Sequence, residues 1–268
     1  MSSWALVTGA TAGIGESFSR LLASNRYNIV LVARDLPRLH ERAKTLEEKF
    51  GVKTHVIQAD LATDEGCLKI EKYIADNQID VLINNAGMGE SGSLAEVDMQ
   101  RVRQIFEVNL FSTLALTQVA LRGMIARERG SILFVSSIAG RVPMPFLMPY
   151  SMSKFALSAA GAGLRAEMDQ LKKNIQIALI EPGAIHTGFN QAMTNSKYEW
   201  MNASSYFSHQ AEAMKKKERA TFKFLEARST HGIVQQIIKA AEASRPKLRY
   251  VSPWIQGFGV RLARIFGV

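Results

Sequence analysis

Short apolar runs alternate with longer amphipathic stretches along most of the chain, and this alternation constrains the fold more than any other feature. Seven runs have the composition of β-strands buried on both faces. They cover residues 4–8, 28–33, 54–59, 80–84, 131–136, 175–181 and, more weakly, 248–252. Helical patterns fill the intervals at 13–24, 37–50, 64–77, 99–129, 152–173 and 229–244. This spacing predicts an α/β fold with a doubly wound, mostly parallel seven-stranded sheet and helices on both faces.

A glycine-rich turn follows the first predicted strand and opens the first predicted helix. It reads Thr8-Gly9-Ala10-Thr11-Ala12-Gly13-Ile14-Gly15. Glycines let a backbone turn tightly and approach a ligand closely, and the helix N-terminus offers free N–H groups to a pyrophosphate. In this strand–turn–helix setting, the turn predicts a Rossmann-type dinucleotide site. The expected contacts are Gly9, Thr11, Gly13, Ile14 and Gly15.

The end of the second predicted strand carries the signal for cofactor choice. Folds that bind NAD usually place an acidic residue there for the ribose 2′-hydroxyl, whereas an arginine accommodates a 2′-phosphate. Ala33 stands where the acid is expected, and Arg34 follows it. Because arginine grips phosphate bidentately, the sequence favours NADP(H). Asp35 is the alternative, since a loop that turned its carboxylate inward would reverse the preference.

Tyr150 and Lys154 lie one helical turn apart and therefore share a face. A free tyrosine titrates near pH ~10, and a cation within ~4–6 Å favours the phenolate. We expect Lys154 to lower the pKa of Tyr150. The tyrosine would then act as a general acid or base near neutral pH.

With these motifs in order, residues 3–188 resemble a short-chain dehydrogenase/reductase. The run Arg245-Pro246-Lys247-Leu248-Arg249-Tyr250 is similar to the matching region of the retinol and hydroxysteroid dehydrogenase-like members. The resemblance implies one NADP-binding domain over residues 1–268. It also implies further cofactor contacts, from the adenine end to the nicotinamide end of the dinucleotide: Asp60, Leu61, Asn85, Ala86, Tyr150, Lys154, Pro182, Gly183 and Thr187.

The resemblance further implies a catalytic set of four residues. Asn109 matches the family's asparagine, which holds a water linked to the lysine. Ser137 matches the family's serine, thirteen residues before the tyrosine, and as the end of an apolar strand it can hydrogen-bond a substrate oxygen. Tyr150 passes the proton. Lys154 lowers the tyrosine pKa and binds the nicotinamide ribose.

These residues predict an NADP-dependent short-chain dehydrogenase/reductase (EC 1.1.1.-) that interconverts a lipophilic ketone or aldehyde and its alcohol. The cofactor would carry the hydride. An alternative in the same class is a 3-oxoacyl-thioester reductase of fatty-acid type. An alternative of another class is a non-catalytic NADP(H)-binding sensor or scaffold, although a pure binder has no need of a proton relay.

Two segments are expected to border the substrate. Residues 141–149 are apolar and rich in methionine, which suits a flexible, lipophilic ligand; the alternative is a loop buried under a lid or in a subunit contact. Residues 186–228 break the strand–helix rhythm with aromatics, methionines and a basic cluster at 215–219. An insertion at this place often caps a site. We therefore expect a helical substrate lid, with an extra helical pair packed on the fold as the alternative.

The net charge of +9 is concentrated late in the chain, since residues 191–268 hold 13 Lys or Arg and 5 Asp or Glu. This excess indicates either an anionic partner or a solvated basic face. Residues 254–268 join apolar side chains with two arginines and no acid. Such an amphipathic segment lies in a membrane interface or packs against a second subunit. We expect a cytoplasmic homodimer or homotetramer formed through 99–129 and 152–173, with peripheral membrane contact through 254–268 as an open alternative.

Other classes of site find little support. The histidines and Cys67 lack metal-ligand spacing, so no metal is expected, and no nucleic-acid motif accompanies the charge. The single cysteine excludes an intrachain disulfide and fits a reducing compartment. The uncharged stretch 108–121 has 14 residues, whereas about 18–20 are needed to cross a bilayer. No spanning helix is therefore expected.

Overall fold

The seven predicted strands form one sheet in the computed structural model, which describes residues 3–243 and 245–266 and, for Phe224, the backbone only. The strands are β1 (Trp4–Thr8), β2 (Asn28–Ala33), β3 (Thr54–Gln58), β4 (Val81–Asn84), β5 (Arg129–Val135), β6 (Asn174–Pro182) and β7 (Arg249–Ser252). Their spatial order is β3-β2-β1-β4-β5-β6-β7, and every neighbouring pair is parallel. The predicted Rossmann-type fold is confirmed.

Two apolar layers cover the sheet, and the strands alternate between them. In β1, the side chains of Ala5 and Val7 point into one layer and that of Leu6 into the other, all of them fully buried. The first layer takes in residues of α1, α2 and α9, and the second takes in residues of α3, α5 and α6, whose bounds follow. Burial on both faces explains why the strands are continuously apolar in sequence.

The helices begin and end close to the predicted bounds. They are α1 (Gly13–Ser24), α2 (Leu36–Phe50), α3 (Asp64–Asp76), α4 (Met99–Phe106), α5 (Ser112–Ala126), α6 (Met148–Leu171), α7 (Phe189–Trp200), α8 (Ala211–Leu225), α9 (His231–Glu242) and α10 (Trp254–Ile265). The segment 186–228 is helical as expected, because it contains α7 and α8. Of the predicted elements, Ser244 in 229–244 and residues 267 and 268 in 254–268 lie outside the described residues.

Two helix predictions need correction. The predicted helix 99–129 is divided by a π-helical turn, Glu107–Phe111, and ends at Ala126. The predicted helix 152–173 begins earlier, at Met148, because proline is tolerated in a first helical turn and Pro149 stands there. The earlier start places Tyr150 on α6 itself.

The chain order reverses beside β1, which lies between β2 and β4. In a doubly wound sheet this reversal opens a crevice at the carboxyl ends of the strands, where ligands bind. The glycine turn after β1 and the residues after β4, β5 and β6 all meet at this edge.

Candidate active site

A cavity of about 530 Å³ occupies the crevice at the carboxyl edge of the sheet. It is lined by the glycine turn, by the ends of β2, β4, β5 and β6, and by side chains of α7 and α8. Every predicted cofactor-binding residue lines it, and so do Ser137, Tyr150 and Lys154. Among the predicted catalytic residues, Asn109 stands apart, because it lies behind the cavity wall.

The glycine turn has the backbone that its sequence requires. Gly9 and Gly13 adopt left-handed φ values of 67° and 58°, which other residues rarely hold. A Cβ on Gly15 would overlap the backbone oxygen of Gly9 and the side-chain nitrogen of Asn85. The turn can close against α1 only because Gly15 has no side chain.

Asn85 holds the turn against β4. Its side-chain nitrogen donates to the backbone oxygen of Thr8 at 2.8 Å, and the Thr8 hydroxyl accepts from the backbone N–H groups of Asn85 and Ala86 at 3.0 Å each. Asn84 is turned away, donating to the Thr117 hydroxyl at 2.9 Å. These hydrogen bonds fix the glycine turn against the end of β4.

The donor groups of the crevice fit a nicotinamide dinucleotide. α1 begins after Ala12, whose methyl group cannot cap the helix, so its first N–H groups are directed to the cavity without a side-chain acceptor. Such groups suit a pyrophosphate. Arg34 and Asp60 line one part of the cavity, whereas Tyr150 and Lys154 line another.

Arg34 and Asp35 point to different partners. Arg34 lines the cavity, its side chain is 74% exposed, and its nearest carboxylate is Asp60 at 3.9 Å. Asp35 caps α2 by accepting from the backbone N–H of Arg38 at 3.0 Å, and its carboxylate pairs with the Arg38 side chain at 3.3 Å. Asp35 is therefore engaged in the helix cap, and the loop does not turn it into the cavity.

Ser137 and Tyr150 are brought together from a strand end and a helix start. The Ser137 hydroxyl donates to the backbone oxygen of Pro182 at 3.4 Å and accepts from the backbone N–H of Ala139 at 3.1 Å. Burial raises the pKa of Tyr150 to about 12, and the neighbouring Ser137 hydroxyl lowers it only in part. At neutral pH the tyrosine is a phenol that can donate a proton.

The expected lowering of the Tyr150 pKa is wrong. Lys154 Nζ lies 5.7 Å from the centre of the tyrosine ring and donates to the backbone oxygen of Val135 at 2.9 Å. Burial also lowers the pKa of Lys154 to about 8, which weakens its hold on a proton. Loss of solvent disfavours both the phenolate and the ammonium, so the net shift of the tyrosine is upward.

Asn109 sits on the π-helical turn, buried behind the lysine. Its side-chain oxygen accepts from the backbone N–H of Met88 at 2.7 Å, and its nitrogen donates to Met88 O and to the Ser153 hydroxyl, both at 2.9 Å. A Cβ placed on Gly87 would lie 3.3 Å from Asn109 Oδ1 and 3.5 Å from Lys154 Nζ. Asn109 thus ties the segment after β4 to α6 beside the lysine.

Glu181 does not line the cavity, but it holds together segments that do, a role that the sequence analysis missed. Its carboxylate is fully buried and pairs with Arg141 at 3.4 Å and with Arg249. Burial raises the pKa of Glu181 more than the two arginines lower it. Because Arg141 lies in the loop after Ser137 and Arg249 lies on β7, the Glu181 carboxylate joins that loop, β6 and β7. The next residue, Pro182, accepts a hydrogen bond from the Ser137 hydroxyl through its backbone oxygen at 3.4 Å. In the sequence, this role is indicated only by a glutamate within an otherwise apolar strand.

The cavity wall beside Tyr150 is apolar. It comprises Met144 and Leu147 from the loop before α6, Phe189 and Met193 from α7, and Phe222 from α8. The Phe189 and Tyr150 rings are 5.7 Å apart. α7 is held over this wall by polar bonds: Ser196 donates to Glu90 at 3.3 Å, and Glu90 is bound by Arg101 at 2.6 Å.

A family model described as short chain dehydrogenase matches residues 3–198. The chain belongs to the short-chain dehydrogenase family. This membership places it among the oxidoreductases that use a nicotinamide cofactor, as the sequence motifs predict. The motifs that carry the resemblance, from the glycine turn to Tyr150 and Lys154, all lie in the matched range.

Two curated relatives show how far this likeness extends. The chain is 36% identical over 191 residues to mouse dehydrogenase/reductase SDR family member 7B, covering 69% of this chain and 58% of that protein. It is 34% identical over 158 residues to human very-long-chain 3-oxoacyl-CoA reductase, covering 58% of this chain and 51% of that protein. The chain thus spans little more than half the length of these relatives.

Solved structures of the same fold include proteins bound to NADPH. L-sorbose reductase from Gluconobacter frateurii, complexed with NADPH and L-sorbose, is 26% identical, with a TM-score of 0.77 over 93% of this chain and 94% of that one. A short-chain dehydrogenase from Sphingobium yanoikuyae in complex with NADPH is 21% identical, with a TM-score of 0.78 over 99% and 96%. The second likeness shows the fold alone.

The helical stretch Met99–Ala126 is long and apolar enough to cross a membrane by length and composition. The 14 uncharged residues 108–121 predict no spanning helix, and length and composition by themselves do not contradict that prediction. Half of the apolar window of this stretch is buried in the fold, and the stretch carries Asn109 beside the cavity; a core helix passes the same test. In the part of the chain that the structure describes, no group of three His, Cys, Asp or Glu could hold a metal ion.

Proposed function

We propose that this chain is an NADPH-dependent reductase that interconverts a lipophilic ketone or aldehyde and its alcohol. The proposal rests on one observation: Ser137, Tyr150 and Lys154 line the same cavity, against an apolar wall. A protonated phenol next to a hydroxyl can bind and protonate one oxygen atom, which is what a carbonyl needs as it becomes an alcohol.

The residues divide the reaction between them. A bound nicotinamide dinucleotide supplies the hydride. Ser137 orients the substrate oxygen with its hydroxyl, and Tyr150 gives that oxygen its phenolic proton. Lys154, while charged, stabilises the phenolate that this transfer leaves behind. Asn109 ties the segment after β4 to α6, the helix that carries the lysine.

Cofactor preference follows from the loop after β2. Arg34 lines the cavity with an exposed guanidinium, whereas Asp35 is occupied at the N-terminus of α2. A guanidinium suits a 2′-phosphate, and a carboxylate is what a free 2′-hydroxyl prefers. We therefore propose NADP(H) over NAD(H). L-sorbose reductase, a solved structure of the same fold at 26% identity, holds NADPH, which agrees with this choice.

Substrate class follows from the cavity wall. Methionine and phenylalanine side chains from the 141–149 loop, α7 and α8 face Tyr150. Such a wall favours apolar ligands of variable shape. We propose that residues 186–228 form the lid over this substrate.

A 3-oxoacyl thioester is the second candidate substrate. One curated relative is named a very-long-chain 3-oxoacyl-CoA reductase, which is a reductase of a carbonyl on a long apolar chain. The basic cluster at 215–219 on α8 would suit the phosphates of such a carrier. Neutralising this cluster would then reduce activity on thioesters but not on simple ketones.

We further propose that the chain assembles as a homodimer or homotetramer through α5 and α6. Large apolar side chains stand exposed on α6 and beside α5. Met152 and Phe155 on α6 are 38% and 40% exposed, and Phe111, in the π-helical turn that precedes α5, is 55% exposed. The run from Ser158 to Gly163 on α6 consists of small residues, which lets two helices approach closely.

The test is NADPH oxidation against a panel of ketones, aldehydes and 3-oxoacyl thioesters, with Tyr150→Phe beside the unchanged protein. Loss of the proton donor should slow turnover about 10²–10⁴-fold with little change in NADPH affinity. Tyr73→Phe is the matched control, because Tyr73 stacks on His55 outside the cavity, and it should keep full activity. NADPH binding without turnover on the whole panel would favour the sensor or scaffold instead.

A further inference from the structure

The outer face of α10 is the largest exposed apolar feature of a single helix in the described residues. Five of its large side chains and that of Phe266, which follows it as the C-cap, are exposed by 40–79%; the five are Trp254, Ile255, Phe258, Leu262 and Ile265. Successive residues of an α-helix are rotated by 100° about its axis, so these six side chains lie within an arc of about 120° around the axis. A continuous stripe of this width cannot be explained as scattered surface residues.

Positive charge borders the stripe. Arg261 and Arg264 are exposed along one side of it, and the sequence contains no Asp or Glu after Glu242. Among the residues that the structure describes, neither arginine forms an ion pair. The surface is therefore apolar at its centre and cationic at its edge.

The inner face of α10 is joined to the active site. The Gln256 side-chain oxygen accepts from the backbone N–H of Ala184 at 2.8 Å, and its nitrogen donates to Leu225 O at 2.6 Å. Gly183 and Ala184 line the cavity, and Leu225 ends α8 with its side chain half exposed. One glutamine thus connects α10 to the cavity wall and to the end of the proposed lid.

We propose that α10 docks this protein on the surface of an anionic phospholipid bilayer, with its apolar stripe in the headgroup region. An interfacial helix combines these features: Trp and Phe on one face, arginines at the border and no acid. Anionic headgroups attract each arginine, and the apolar side chains bury in the acyl boundary.

A second copy of this chain is a poorer occupant. A self-complementary contact through α10 would bring the two Arg261 and Arg264 pairs together with no carboxylate on the helix to offset them. Phe111, just before α5, and Met152 and Phe155 on α6 already offer a separate exposed face for self-association. The positive charge of α10 therefore favours an anionic lipid surface over a second copy of the chain as the partner of this helix.

Docking in this orientation would place the cavity wall one helix diameter from the bilayer. If the proposed function holds, a lipophilic substrate could pass between the bilayer and the cavity without crossing water. The docking itself needs no catalysis, so a binding assay tests it independently of the reaction.

The experiment is co-sedimentation with phosphatidylcholine vesicles containing about 30% phosphatidylserine, compared with phosphatidylcholine alone. The unchanged protein should bind the anionic vesicles and release at high salt, because screening weakens the arginine contacts. Phe258→Glu should weaken binding at least about tenfold. Leu68→Glu, at a similarly exposed leucine on α3, is the control and should bind normally.

A second pair of variants separates the contribution of charge to vesicle binding from that of apolar burial. Arg261→Gln with Arg264→Gln should weaken binding about 30-fold, from ~1 kcal/mol for each basic residue at an anionic surface. Lys44→Gln with Lys72→Gln removes the same charge elsewhere and should change binding little. The proposal would be overturned if the protein bound both vesicle types equally, or if the test and control variants had equal effects. It would also be overturned if the protein bound no vesicles while Phe258→Glu changed the particle size.

Discussion

Replacing Arg34 with alanine should weaken NADPH binding and leave NADH binding unchanged. The guanidinium lines the cavity at the end of β2, is 74% exposed, and has only Asp60, at 3.9 Å, as a neighbouring carboxylate. It is therefore free to take a 2′-phosphate, whereas NADH offers a 2′-hydroxyl that does not need a cation.

The expected magnitude follows from this exposure. A charge-assisted hydrogen bond contributes about 1.5–3 kcal/mol, and solvent screening of so exposed a side chain places Arg34 at the lower end. About 1.5 kcal/mol corresponds to a loss of about tenfold in NADPH affinity. The dissociation constants of both cofactors would be measured by calorimetric titration, on the same preparation of folded protein.

Arg38→Ala is the matched control. Arg38 is 61% exposed on the first turn of α2 and pairs with Asp35, but it does not line the cavity. Its loss should leave both affinities unchanged. A parallel change, Asp35→Asn, should also leave NADH affinity unchanged, because the carboxylate is occupied as a helix cap. Equal losses of NADPH and NADH in Arg34→Ala, or a loss of NADH in Asp35→Asn, would refute this account of cofactor choice.

Two further predictions concern the proton relay and the phosphate turn. Carbonyl reduction should be constant from about pH 6 to 7, fall to about half near pH 8 and decrease further above it, because Lys154 has a pKa of about 8 and loses its charge there while Tyr150, at about 12, stays protonated. A rate that stays constant to pH 10 would contradict the role of the lysine, and Lys154→Met should remove the break in the profile. Gly15→Ala should abolish dinucleotide binding, since its methyl group would overlap Gly9 O, whereas Gly163→Ala on α6 meets nothing within 4 Å and should stabilise the fold by about 0.5–1 kcal/mol, as thermal unfolding would show. Normal NADPH affinity in Gly15→Ala would show that the turn tolerates a side chain.

Most of the fold could be predicted because its signals are local. The strands are continuously apolar since both faces of the sheet are covered, and the glycines mark a turn whose φ values other residues avoid. Spacing also brought Tyr150 and Lys154 onto one face of a helix. The bounds were less certain: α6 begins at Met148 because Pro149 fits its first turn, and a π-helical turn interrupts the helix that carries Asn109.

The site needed the tertiary structure wherever its chemistry depends on neighbours distant in sequence. A pKa reflects desolvation and nearby charge, so the upward shift of the Tyr150 pKa appears only once Phe189 and the cavity wall bury the phenol. The pairing of Glu181 with Arg141 and Arg249 joins residues from three separate segments.

Sequence by itself determined the sheet and the glycine turn and predicted the residues proposed for the proton relay, because backbone conformation and periodic burial depend on residues adjacent in the chain. Only the tertiary structure decided which groups face each other. It turned Asp35 to the helix cap and Arg34 to the cavity, raised the pKa of the phenol that the lysine was expected to lower, and set the apolar stripe of α10 outward while Gln256 faces the site. These outcomes depend on distances and on the exclusion of solvent between residues that are far apart in the sequence, so only the folded chain sets them.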